Sequence, residues 1–562
     1  MGRFQILQTA LLFIPGMLFG CHVLIQNFIA VVPEHHCRLQ NQTSAKSPFL
    51  GDGRDRDLLQ VSIPMDKSGK PETCLRFTEP QWQFLNPNGT EQASLDTEDC
   101  LDGWVYDKSV FSSSIVIEWD LVCERKSLAS AAQAIFVGGQ QAGNVILGIL
   151  SDRFGRRTVL LWSSLMAMIS GMCEAFAPTF VVYVLFRFLT GVAAAGIHLT
   201  RNCLTLEWTP PDKRIHVITC NVSAFPLGVI LLSGLAYLVR EWRWLQFSTS
   251  VSFGISLLLA LYVDRTANTL SSQALPESAR WLITHNKLQA AVKTLQKVAW
   301  INGQKEQGSN LTPEVVMSHI QEDLTTVKQK DSLRDLFQTP DMLKMTLCVM
   351  FGWFATAFSV YGMSFDLQKY GFSIYLVQVL FELIDFPTRL LGAISMSYLG
   401  NRFTFIFCAV FSGCLIIVVI FVPQDMPYLR LTFSVLGKGL LGALFLCLHL
   451  YTLELYPTEI RQRGMSVGLF SARIGSLLST LFLIIGNHIP MLQPLLFGIV
   501  PILSTIGVFF LIETHGLPLL ETIQETENRM KRAQSRTGNA SEDVQERPAL
   551  LSPEMPEAES TV

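Results

Sequence analysis

Apolar residues come in long blocks along this chain, separated by polar connections that carry most of its charge. Blocks near 11–32, 129–150, 158–177, 179–203, 216–239 and 246–263 occupy the first half. Blocks near 343–364, 373–397, 403–422, 428–452, 464–486 and 492–513 occupy the second. Each approaches the roughly 20 apolar residues that a helix needs to cross a bilayer. The pattern predicts an all-α membrane protein of twelve spanning helices, with ends placed to within about 3 residues. The first block follows Arg3, is too long for the apolar core of a signal peptide and lacks a clear small-residue cleavage site, so it reads as a retained helix.

Composition agrees: 562 residues, 49% hydrophobic and only 16% charged, are too apolar and too long for one soluble domain. A net charge of −3 gives no case for nucleic acid binding. Basic residues collect in alternate connections: Arg153, Arg156 and Arg157; Lys213 and Arg214; the 264–342 stretch; Arg402; Arg461 and Arg463; Lys531 and Arg532. The positive-inside rule makes these connections and both termini cytoplasmic. The expected organisation is then a cytoplasmic N-terminus with the first helix (1–32), an extracellular loop (33–128), helices two to six (129–263), a cytoplasmic connector (264–342), helices seven to twelve (343–513) and a cytoplasmic tail (514–562).

The 33–128 loop holds Cys37, Cys74, Cys100 and Cys123, an even set that allows two disulfides in any of three connectivities. It also carries glycosylation sequons at Asn41 and Asn88. Both features put the chain on the secretory route, with the plasma membrane as its destination. The other eight of the 12 cysteines lack metal-ligand spacing and read as small apolar fillers. No metal or cofactor is expected, and no Gly-x-x-x-x-Gly-Lys-Ser/Thr loop is present to use ATP.

Three landmarks recur about 240 residues apart, the mark of a duplicated transporter core. Thr205-Leu206-Glu207-Trp208-Thr209-Pro210 with Arg214 matches Thr452-Leu453-Glu454-Leu455-Tyr456-Pro457 with Arg461. Ser151-Asp152-Arg153-Phe154-Gly155-Arg156-Arg157 is echoed by Ser397-Tyr398-Leu399-Gly400-Asn401-Arg402, and Pro276-Glu277-Ser278 by Ile512-Glu513-Thr514. The carboxylates Asp152, Glu207, Glu277, Glu454 and Glu513 thus gather at cytoplasmic helix ends with Arg156, Arg157, Arg214, Arg280 and Arg461. One reading is a set of ion pairs that close the inner mouth when two halves rock. The other is topogenic charge with ordinary helix capping.

One residue breaks the apolar pattern most sharply. Arg473 stands near the middle of the run Met465–Ile485, which has no other charge. A guanidinium at bilayer depth costs roughly 2.5–3.5 kcal/mol on insertion scales. It persists where it faces a watery cavity, a partner or an anionic ligand, so in a carrier it points to negatively charged cargo.

The run Gly148-Ile149-Leu150-Ser151-Asp152-Arg153-Phe154-Gly155-Arg156-Arg157 resembles the signature of major facilitator superfamily carriers. The Cys-bearing loop, Pro276-Glu277-Ser278-Ala279-Arg280-Trp281-Leu282 and Glu454-Leu455-Tyr456-Pro457-Thr458 narrow the likeness to the organic-ion transporter family. Cation carriers of that family have an aspartate where Ser471-Ala472-Arg473-Ile474-Gly475 has its arginine. The chain therefore resembles the organic anion branch, especially members handling urate, steroid sulfates and prostaglandin-like anions. The likeness implies the major facilitator fold, in two six-helix pseudo-repeats. It also implies sodium-independent exchange or facilitated diffusion by alternating access, with exchange against an intracellular anion such as a dicarboxylate.

By the same resemblance, Arg473 matches the eleventh-helix anion-binding arginine and Arg389 a basic residue on the eighth helix. Trp353 and Tyr361 match seventh-helix aromatics, Phe445 a tenth-helix phenylalanine and Phe225 a fifth-helix aromatic. Aromatic walls would hold a flat body while guanidinium groups take carboxylate or sulfate. Several departures bear on this box. Asp385 lies four residues before Arg389 and is placed to neutralise it, and Glu382 stands where the family usually has a small residue. His449 replaces a phenylalanine, either as a titratable charge or as a neutral ring bonded to a backbone carbonyl. Arg201, three residues from His198, is a second cavity cation or, as slightly favoured here, a snorkelling or internally paired side chain. The 263–273 stretch reads as an insertion. The terminal Ser560-Thr561-Val562 fits a PDZ-domain ligand. A non-transporting receptor or scaffold, and a carrier of zwitterions or cations, are the alternatives.

Overall fold

The computed structural model describes residues 2–39, 53–65, 69–85, 96–210, 213–262, 275–317, 336–365, 367–457, 460–486, 489, 491–515 and 523–531. The sequons at Asn41 and Asn88, the insertion at 263–273 and the terminal Ser560-Thr561-Val562 lie outside these residues.

Twelve long helices form the body. In the first half they are α1 (Arg3–Leu24), α2 (Lys126–Phe154), α3 (Arg156–Ala175), α4 (Phe180–Glu207), α5 (Arg214–Leu238) and α6 (Trp242–Tyr262). In the second they are α7 (Pro340–Phe365), α8 (Ile374–Leu383 continued by Asp385–Leu399), α9 (Asn401–Phe421), α10 (Pro427–Leu455), α11 (Arg461–Gly486) and α12 (Leu492–Phe509). Among the described residues, 10 helices are long and apolar enough to cross a membrane. The remaining two are α6 and α8. The break in α8 falls at Ile384 because Pro387 has no N–H to give the Leu383 carbonyl, and its ring crowds that turn. Several helices run past the apolar blocks into polar flanks, α2 to Phe154 and α4 to Glu207 among them. Backbone hydrogen bonding continues where side-chain hydropathy changes, so an apolar block marks the membrane depth and not the helix end.

The duplication legible in the sequence is also a duplication of packing. In the first half α1 packs on α5, α2 on α4, and α3 on both α4 and α6. In the second half α7 packs on α11, α8 on α10, and α9 on both α10 and α12. The most extensive contacts between the halves are α2 with α11 and α5 with α8. They are equivalent under the same repeat, and the space they flank is the centre of the molecule.

The repeated glycines explain one landmark. Gly155 at φ 100° and Gly400 at φ 91° open α3 and α9 in backbone conformations that disfavour side chains. Against each sits a carboxylate from the far end of its own half. Glu277 accepts from the amides of Arg156 (2.9 Å) and Arg157 (3.1 Å), and Glu513 from those of Asn401 (3.0 Å) and Arg402 (3.1 Å). A Cβ on Gly155 would collide with the Glu277 carboxylate, and one on Gly400 would come within 3.0 Å of Glu513. These acids therefore cap helix N-termini through backbone N–H groups. Glu277→Ala should lower the thermal unfolding midpoint of the purified protein, by about 1–2 kcal/mol of stability. Glu277→Gln, which keeps one acceptor, should lose less. An unchanged midpoint in the alanine variant would remove the capping role.

The α1–α2 loop is the exception to an otherwise helical chain. Four short strands, β1 (His35–Cys37), β2 (Leu75–Phe77), β3 (Thr97–Asp99) and β4 (Trp104–Tyr106), form two antiparallel pairs, β1 with β4 and β2 with β3. Of the three possible connectivities, the structure has Cys37–Cys100 and Cys74–Cys123, with Cα separations of 5.1 and 5.7 Å. On the opposite side of the molecule the connector contributes Ala279–Thr284, Leu288–Ile301 and Lys305–Ser309. The Trp281 indole donates to the Asp152 carbonyl (2.7 Å), and the Phe4 amide to Asn302 Oδ1 (2.9 Å). The N-terminus and connector thus share a side.

Candidate functional site

Arg473 bridges the halves. It is half-buried on α11, and its Nη1 donates to Gln140 Oε1 of α2 at 3.4 Å. Gln140 is itself buried, and its Nε2 has no partner. Two residues on, Gly475 lets α11 press directly on α7, since a Cβ there would collide with the Phe354 carbonyl. The guanidinium is thereby fixed at the α2–α11 crossing with weak polar satisfaction, a 3.4 Å bond being at the long end of the range.

A second cation lies near it. Arg473 and Arg201 both act electrostatically on His198 of α4. Arg201 does not snorkel to the cytoplasm: it is 5% exposed, lies against Gly16 of α1, and bonds to Asn202 Oδ1 at 3.3 Å. Its Nε and Nη1 are buried without partners. A bulkier residue than Gly16 would clash with it, so the sequence makes room for this side chain inside the first half. His198 itself lies against Phe19, ring centroids 4.8 Å apart.

The aromatic residues fall into two groups. On one side Trp353 is fully buried and donates from its indole to Thr452 Oγ1 (3.1 Å). Phe445 and His449, one turn apart on α10, meet its face edge-on at 5.1 and 6.0 Å. Among the described residues no hydrogen bond reaches the His449 ring, so the reading of a histidine tied to a carbonyl is not what the structure has. On the other side Tyr361 of α7 and Phe225 of α5 pack against one apolar cluster, which includes Phe19, Val23 and Phe136. Tyr361 also stacks on Phe365 at 5.9 Å.

Arg389 is engaged elsewhere. Its Nη2 donates to Asp385 Oδ2 at 2.8 Å, and Lys438 Nζ of α10 sits 3.7 Å from the other oxygen. Gly442 lets the Asp385 carboxylate lie against α10, where a Cβ would approach it to 2.6 Å. Glu382 is 1% exposed, accepts from Gln378 Nε2 (3.1 Å), and leaves Oε2 without a partner. Two acids and two bases therefore balance on α8 and α10. The network reaches the first half through Asn27, whose Nδ2 donates to Gln378 Oε1 (2.8 Å) and the Ser364 carbonyl (2.7 Å).

At the connector-side helix ends, Arg156 pairs with Asp152 (3.0 Å) and Glu207 (3.4 Å). Glu454 accepts from Asn401 Nδ2 (2.6 Å), and Arg461 donates to the Tyr456 carbonyl (3.2 Å). Each of these contacts stays within one half. Arg280 is exposed, while the side chain of Arg214 is not described.

Sequence reasoning passed over several polar residues: the buried Lys438 and Gln140, the half-buried Asn27, and a pair in the first half, Glu174 and Arg187. That pair is fully buried at 3.6 Å, with the guanidinium over Phe136 at 4.2 Å. The signal that singled out Arg473, a charge inside an apolar block, was present for Lys438, Glu174 and Arg187 as well.

Comparison with known proteins places the chain among membrane carriers. Residues 15–525 match the family model described as "Sugar (and other) transporter". Mouse solute carrier family 22 member 20 is 43% identical, across 97% of this chain and 95% of its own. Rat organic anion transporter 3 is 41% identical, across 95% and 94% respectively. The inward-open xylose transporter XylE of E. coli superposes with a TM-score of 0.58 over 91% of this chain and 97% of its own. At 15% identity that likeness speaks to the fold alone.

Proposed function

The chain belongs to the solute carrier 22 family of sugar-and-other transporters, and from that premise we propose that it carries amphipathic organic anions such as steroid sulfates, prostaglandins or urate across the plasma membrane. The observation that supports this best is Arg473: a guanidinium held between the halves, only half-buried and weakly satisfied by Gln140. An incoming carboxylate or sulfate replaces Gln140 as acceptor and gains a charge-assisted bond. The half-buried rings of Tyr361, Phe445, His449 and Phe225 offer its apolar body a surface, with Trp353 buried behind Phe445 and His449. Arg201 adds positive potential and Arg389 does not, because Asp385 takes it.

The loop side is the extracellular side in this reading, and both termini are cytoplasmic. Transport is alternating access without sodium, as facilitated movement or as exchange for an intracellular anion such as a dicarboxylate. The connector-side clusters around Arg156 and Asn401 brace each half and present Asp152, Glu207 and Glu454 to the inner mouth as it opens and closes. At the tail, Ser560, Thr561 and Val562 serve a PDZ scaffold, and deletion of Val562 ends its capture.

The test is uptake by the purified full chain in proteoliposomes, over a panel of organic anions with one cation and one zwitterion. Saturable uptake of anions, accelerated by a preloaded dicarboxylate, is expected. Uptake confined to the cation or zwitterion would favour a second reading, in which the unpartnered Glu382 Oε2 receives an ammonium group. No uptake of any compound would favour a non-transporting receptor.

His449 supplies a separate check. A proton on it would add positive charge beside Trp353, but the ring packs against that indole with no described acceptor to hold the proton. The His449→Phe variant should therefore keep the parent's pH profile of anion uptake between about pH 5.5 and 7.5. A profile that flattens in the variant would instead make His449 a pH sensor.

A further inference from the structure

On the loop side, a cavity of about 510 Å³ lies between the start of α2 and the ends of α7, α9, α10, α11 and α12. Its rim carries Lys126, Lys369 and Arg430, and no carboxylate is among its described lining residues. Lys126 begins α2 in the first half, Lys369 lies on the turn between α7 and α8, and Arg430 is in the first turn of α10. Phe497 and Met363 give the hollow an apolar wall, and Ser434 and Gln493 give it polar groups. Lys126 from the first half and Arg430 from the second bring like charge to one hollow and raise its potential; an anion between them offsets it.

The hollow's lining includes Gln368 and Val32, which tie the halves: Gln368 exchanges bonds with the backbone of Val32 (3.1 and 3.3 Å), and Asn27 bonds to Gln378 and Ser364. Arg473 lies at the α2–α11 crossing and is not part of the lining. Arg430, Ser434 and Lys438 follow one another at four-residue spacing on α10, so one helix face leads from the hollow toward the buried Asp385 cluster.

We propose that this hollow is a second binding site for amphipathic organic anions, open to the outside while the mouth between the halves is shut. The carboxylate or sulfate rests among Lys126, Lys369 and Arg430, and the apolar body lies against Phe497 and Met363. The site collects cargo, or competing anions, at the outer surface before the central site is accessible. The proposal rests on the functional reading above for its orientation and ligand class, and not on Arg473.

Equilibrium binding of radiolabelled estrone sulfate to the full chain in nanodiscs tests it, with empty discs and neutral estrone as controls. Arg473→Ala, with Arg473→Gln beside it, should keep a saturable component that weakens as salt rises. Adding Lys126→Gln and Lys369→Gln, both exposed side chains, should raise the Kd of that component on the order of tenfold. Arg430→Gln should act in the same direction and Arg430→Lys should largely restore binding. Absence of a saturable component in both Arg473 variants would overturn the proposal, as would a Kd indifferent to the lysine substitutions. Transport retained by Arg473→Ala would defeat the central-site reading while leaving this measurement valid.

Discussion

Arg473→Ala, present at the cell surface in normal amounts, abolishes saturable uptake of labelled estrone sulfate, urate or prostaglandin. The expectation follows from what surrounds the side chain. Its one described hydrogen bond is the 3.4 Å contact with Gln140, so a ligand anion meets a guanidinium that has given little away. Truncating one partner of a buried, charge-assisted pair costs about 2–5 kcal/mol. At 1.4 kcal/mol per tenfold, that removes on the order of 30-fold to a few thousand-fold of affinity. Arg473→Lys keeps the charge but loses the two-pronged geometry, so it should retain a small part of the activity. Gln140→Ala should be mild, since it removes only the group that the anion displaces. Unchanged uptake kinetics in Arg473→Ala would sink the residue as anchor, whatever the fate of the outer hollow.

The second large effect is on folding. Asp385→Ala leaves Arg389 and Lys438 facing each other without their shared counter-charge, in a site where Lys438 is 3% exposed. Breaking a buried pair by removing one member costs about 3–5 kcal/mol. We expect little Asp385→Ala protein at the surface by biotinylation and a lower unfolding midpoint for what can be purified. Adding Lys438→Met, which takes away the excess charge and roughly keeps the volume, should recover part of both. Normal surface abundance of Asp385→Ala would mean that the cluster is solvated and structurally dispensable.

These two arginines show how far a sequence carries. Arg473 and Arg389 are both cations in apolar blocks, and resemblance assigns both to one cavity. The four-residue spacing of Asp385 and Arg389 already pointed to neutralisation, and the 2.8 Å bond agrees with it. Lys438, 53 residues further along the chain and on another helix, could not be paired with Asp385 by any local rule. Arg201 shows the same limit: the sequence left it as a cavity cation or as a snorkelling or internally paired side chain, and Gly16 on another helix leaves the space that keeps it inside. The same limit applies to Glu277 and Glu513. Their repetition was plain in the sequence, but their partners are backbone amides, which sequence comparison cannot see.

By itself, the sequence determined the helical membrane architecture, the two-fold repeat, the even cysteine set and the presence of a lone cation at depth. These follow from periodicity, block length and the energetic penalty on charge in hydrocarbon, all properties of the chain read locally. Only the tertiary structure decided which cysteines join, which arginine keeps only a long bond to Gln140 and which is spent on Asp385. It alone brought Lys126, Lys369 and Arg430 around one outer hollow. Those outcomes depend on distances between helices far apart in the chain, where the energy of a charge is set by its neighbours in space.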